Sequence, residues 1–82
     1  MVEANRAVAV AMVEGPAAGL AMLDGLMADA RLARWPPFHV ARADLLRRLD
    51  RRAEAADAYR AALALGPPAP EQSFIRSRLE SL

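Results

Sequence analysis

Proline and glycine cut this sequence into pieces of helical length, and that spacing constrains the fold more than any other feature. Breaks fall at Gly15-Pro16, at Trp35-Pro36-Pro37 and at Gly66-Pro67-Pro68-Ala69-Pro70, with a softer one at Leu49-Asp50-Arg51. Proline lacks a backbone donor and pushes the residue before it out of the helical region, so a regular helix does not run through these points. Five stretches remain. The first runs from about Val2 to Glu14. The second opens with Pro16, suited to the first helical position, and carries Leu20, Leu23 and Met27 beside Met22 and Leu26 at spacings of three and four. It is predicted to end before Trp35, because Pro36 disfavours a helical residue ahead of it. The third runs from Pro37 to about Leu49, with Phe38, Ala41, Leu45 and Leu49 on one face and Asp44 paired with Arg48 at i,i+4 on another. The fourth starts near Asp50, whose carboxylate is expected to cap the N–H groups of residues 52 and 53. Its inner stripe is Ala55, Tyr59, Ala62 and Leu63, and Gly66 stops it. The fifth runs from Pro70 to Leu82, with Ile75, Leu79 and Leu82 in line and Phe74 widening that face.

Composition makes these stretches helices. Alanine and arginine, both strong helix formers, account for 20 and 11 of the 82 residues, whereas only five valines and Ile75 are β-branched and threonine is absent. The fold class is therefore all-α, in one domain. A chain this short buries roughly 60% of its unfolded surface. With no cysteine to cross-link it, apolar packing must hold it together. At 55% hydrophobic it is too apolar for a disordered tail, and a net charge of +1 gives no strong pull toward nucleic acid or an anionic membrane. The apolar run at residues 7–13 is too short to span a bilayer and lacks the basic start of a secretory signal. The expected location is the cytoplasm.

Gly15 and Asp50 mark two turns 35 residues apart. A period near this length points to helix–turn–helix repeats. The second pair follows the tetratricopeptide pattern. Ala43 takes the small position of its first helix, Ala55 the small position after the turn, Tyr59 the aromatic position, Ala62 the next small position and Pro67 the closing proline. Small residues there let helices approach at the short end of the roughly 8–10 Å range. Asp50 stands where glycine is usual and Arg42 where a hydrophobic residue is usual. In the first pair Leu20 and Asp24 replace an alanine and an aromatic. The predicted architecture is a tetratricopeptide-like array of two antiparallel helix pairs, a degenerate repeat over 2–34 and a better one over 37–67, closed by a capping helix over 70–82. Such arrays normally need three or more repeats, so the chain is expected to belong to a longer array or to self-associate as a homo-oligomer.

Longer strings carry a more specific resemblance. They are Asn5-Arg6-Ala7-Val8-Ala9-Val10-Ala11, Glu14-Gly15-Pro16-Ala17-Ala18-Gly19-Leu20, Ala41-Arg42-Ala43-Asp44-Leu45-Leu46-Arg47-Arg48-Leu49, Arg52-Ala53-Glu54-Ala55-Ala56 and Phe74-Ile75-Arg76-Ser77-Arg78-Leu79. In this order and spacing, over residues 5 to 82, the chain resembles the C-terminal helical extension of bacterial extracytoplasmic-function (ECF) type RNA polymerase sigma factors. The resemblance implies a regulatory module of tetratricopeptide character that follows two DNA- and polymerase-binding domains. Those domains are absent from these 82 residues. The implied partners are a protein or the upstream sigma domains, with RNA polymerase engaged indirectly. The chain is then either a fragment or a stand-alone relative that does not recognise a promoter unaided. The Trp35-Pro36-Pro37-Phe38-His39 turn is richer in proline than expected for the family, which bears on the angle between the repeats.

Few residues offer chemistry. Cysteine and lysine are absent, and His39 is the one candidate base near neutral pH. Ser73, Ser77 and Ser81 lie far from it in sequence, with no nucleophile elbow. His39 reads as a half-buried residue of the third helix. The carboxylates at Asp24 and Asp29, and at Asp50 and Glu54, have ordinary surface spacing rather than metal-ligand clustering. No enzyme activity, cofactor or metal is expected. Arg47, Arg48, Arg51 and Arg52 cluster at one turn, but Asp44, Asp50, Glu54 and Asp57 are interleaved with them, which reads as an ion-paired surface rather than a phosphate track. Direct nucleic-acid binding is not expected. The candidate contact or support residues are Asn5, Arg6, Arg42 and Tyr59, together with Trp35 and Phe38. This last pair can serve as an exposed anchor or as a plug of the inter-repeat core, and the plug is preferred.

Overall fold

A computed structural model describes residues 9, 10 and 12–82, and the described part contains helices and turns but no strand. Residues 9, 10 and 12–14 are helical, and the rest of the stretch predicted from Val2 lies outside the described residues. Five helices follow: α1 (Pro16–Leu26), α2 (Ala30–Ala33), α3 (Pro36–Arg48), α4 (Arg52–Ala64) and α5 (Ala69–Glu80). They pack largely in chain order. α1 and α2 lie against α3, α3 and α4 form the most extensive pair, and α5 covers α4.

The stretch predicted as one helix from Pro16 to just before Trp35 is two. α1 stops at Leu26, and Asp29 begins a new turn by accepting the N–H of Arg31 on its carboxylate at 2.9 Å. The gain is the placement of Leu32. In an unbroken helix, nine residues of rotation would carry it about 180° from Leu23 and into solvent. With the break, Leu23 and Leu32 are both buried, and Met27 becomes an exposed C-terminal residue instead of a third member of the stripe.

α3 is the central helix. Pro36 and Pro37 occupy its first turn, so it begins one residue earlier than predicted. It buries Phe38, His39, Ala43, Leu45 and Leu46, a broader surface than the expected stripe because neighbours cover it on two sides. Each of its large apolar side chains contributes roughly 1.5–3 kcal/mol by leaving water. α4 buries Ala55, Ala58, Tyr59 and Ala62, and the alanines allow the close approach expected of them.

The turn between α3 and α4 corrects the reading of Asp50. Its carboxylate does not cap α4, whose preceding residue, Arg51, has no side-chain cap either. Asp50 instead adopts φ 59, the left-handed conformation that favours glycine. The Arg51 N–H bonds the Leu46 carbonyl, and the Asp50 N–H bonds the Arg47 carbonyl, both at 3.0 Å. These two bonds define a Schellman ending for α3. Aspartate stands where glycine is usual because it tolerates this conformation better than most side chains. Gly66 ends α4 with φ 69 and one bond, from its N–H to the Leu63 carbonyl at 3.0 Å, and the buried Pro67, which has no N–H to make the second, follows. The Pro67 carbonyl accepts a 2.6 Å bond from the Gln72 side chain, which ties the linker to α5. α5 starts at Ala69, one residue early, and buries Ile75, with Leu79 and Leu82 packed against the core. Phe74 does not widen that face, since it is 45% exposed.

Candidate functional site

The sequence candidates separate into buried supports and surface groups. Phe38 and Tyr59 have no exposed surface, and Trp35 is half-buried against the same core. In this conformation Phe38 and Tyr59 fill the interior between helices, where they support a surface rather than form one. Asn5 and Arg6 lie outside the described residues. Arg42 is the one described candidate whose polar end works at the surface.

Arg42 explains two departures from the repeat pattern at once. Its Nε donates to the Asp24 carboxylate at 2.8 Å, joining α3 to α1. The charged residue at a normally hydrophobic position and the aspartate at a normally aromatic one are therefore each other's partners. Arg42 is only 23% exposed, so its aliphatic stem packs while its head reaches the carboxylate. Arg51 and Glu54 sit close by and are held by two bonds, of 2.9 and 2.6 Å. This pairing raises the Arg51 pKa and lowers that of Glu54, with Asp24 and Arg42 adding the same tendencies through space. Asp24, Arg42, Arg51 and Glu54 thus form one charge-balanced patch across α1, α3 and the start of α4.

A second polar group lies inside the α3–α4 pair. The Tyr59 hydroxyl donates to the Asp44 carboxylate. Burial of the phenol, then the bond to Asp44 and its negative charge, push the Tyr59 pKa up to about 12, while Arg47 acts in the opposite direction. The Arg47 guanidinium stands 3.9 Å from Asp44 and has a buried Nε without a hydrogen-bond partner. Asp44 was expected to pair with Arg48. It is drawn instead toward Tyr59 and Arg47, and Arg48 makes no ion pair among the described residues. The other arginines at this end do pair, Arg52 with Asp50 and Arg60 with Asp57.

His39 is buried, more deeply than expected. Its Nε2–H donates to the Ala33 carbonyl at 2.7 Å, and its ring meets Phe38 edge-on at 5.4 Å. It satisfies the last turn of α2 and is spent on structure. Among the described residues, no group of three or more His, Cys, Asp or Glu side chains is placed to hold a metal ion. No helix among them is long and apolar enough to cross a membrane.

Sequence reasoning missed the exposed Phe74 with the Arg78 guanidinium over its ring, 5.1 Å from the centroid. The signal was the i,i+4 spacing of an aromatic and an arginine, one register away from the Ile75–Leu79–Leu82 stripe.

No family model matches the chain, and no solved structure matches it. An uncharacterised protein of Rhizobium meliloti (strain 1021) is 43% identical to it over all 82 residues. Those residues span 19% of that protein, so the chain covers about a fifth of the length of this relative.

Proposed function

We propose that this chain is a non-catalytic regulatory module that works by protein contact inside a larger cytoplasmic protein, in the manner of the C-terminal extension of an ECF-type sigma factor. The observation that carries the reading is the match of the whole chain to a fifth of a longer relative, the relation expected of a module with neighbours attached. The sigma-factor assignment rests on the sequence strings that resemble the extension. The fold supports a contact role: its one near-neutral base is committed to a backbone carbonyl, and its surface is dominated by paired charges. Contact is made to the upstream domains or to a protein partner, and RNA polymerase is influenced through them. The test is calorimetric titration of this chain into the DNA- and polymerase-binding domains of the longer protein. Saturable binding that weakens on Arg42→Glu is the expected result, and no binding at millimolar concentration refutes contact with those domains.

A tetratricopeptide-like adaptor is the second reading. It is favoured by the glycine-type turn at Asp50 and by the fully buried Ala43, Ala55 and Ala62. An adaptor of this kind captures a peptide segment of a partner and has no effect on transcription by the parent protein.

A further inference from the structure

We draw no further inference here: the strongest candidate, the exposed surface patch on α5 where the Arg78 guanidinium lies over the Phe74 ring, carries nothing because nothing in the structure shows what covers it.

Discussion

Replacing Tyr59 by phenylalanine removes one buried hydroxyl and keeps the ring, so it isolates the Tyr59–Asp44 bond. A hydrogen bond to a charged group contributes about 1.5–3 kcal/mol. The raised pKa sets the scale of the pH dependence instead. A displacement from 10.0 to about 12, caused first by burial and then by the Asp44 bond and charge, makes ionising the folded phenol cost about 2.7 kcal/mol more than in the unfolded chain, at 1.36 kcal/mol per unit. The Asp44 side chain is 30% exposed, and water can replace part of the bond, so a loss of about 1–2 kcal/mol is expected. For a domain of this size that lowers Tm by about 4–8 °C per kcal/mol. The pH dependence is sharper still. The folded pKa lies above the unfolded one, so the stabilisation is complete below pH 10 and disappears as pH rises toward 12. The chain has no lysine, no cysteine and a single tyrosine. Arginines stay charged above pH 12 and the N-terminal amine titrates near pH 8, so this window reports on Tyr59 alone. Urea unfolding at successive pH values should show wild type falling toward the Tyr59→Phe variant between pH 10 and 12, with the variant nearly flat. Tyrosinate absorbance of the folded chain should have its midpoint near 12. Parallel curves for the two proteins, or a folded midpoint near 10, would refute the reasoning.

Three further outcomes follow from the turns and the helix contacts. Asp50→Gly should be neutral or stabilising because it relieves the left-handed backbone, whereas Asp50→Ala should be about 1 kcal/mol less stable than the glycine variant by denaturant titration. Leu32→Ala should cost about 2–4 kcal/mol, and Asp29→Ala about 1 kcal/mol by loss of its cap. Equal and negligible effects would mean that the break after α1 does not serve to bury Leu32. A double-mutant cycle on Asp24 and Arg42 should give a coupling of about 0.3–1 kcal/mol, and the coupling should fade at about 1 M salt, where the screening length is roughly 3 Å.

The helical class and most helix ends were legible because proline and glycine act locally. Pro36, Gly66 and Pro67 impose their backbone limits whatever surrounds them. Ala55, Tyr59 and Ala62 of α4 and Ile75 of α5 were legible for a similar reason, since helical periodicity alone aligns them, whereas the buried Ala58 was not anticipated and Leu63 is only half-buried. The break after Leu26 was not legible, because Asp29 becomes a cap only when Leu32 has a core to enter. The left-handed backbone at Asp50 was not legible either, because aspartate adopts that conformation less readily than glycine and reads equally well as a helix cap. Pairings across helices were hidden most completely. Asp24 and Arg42 are 18 residues apart, and Asp44 had a closer arginine in sequence than the tyrosine it meets in space. Of the candidate site, the support role of Phe38 and Tyr59 could be anticipated from size and spacing, but the exposed Phe74 depended on which face α5 turns toward α4.

The regulatory reading is tested most directly by promoter-specific transcription. RNA polymerase supplied with the longer protein that carries this segment should initiate at a measurably different level when residues corresponding to 1–82 are deleted, and Arg42→Glu within the intact protein should reproduce part of that change. Identical transcription with and without the segment, or a longer protein that does not engage RNA polymerase at all, would contradict it.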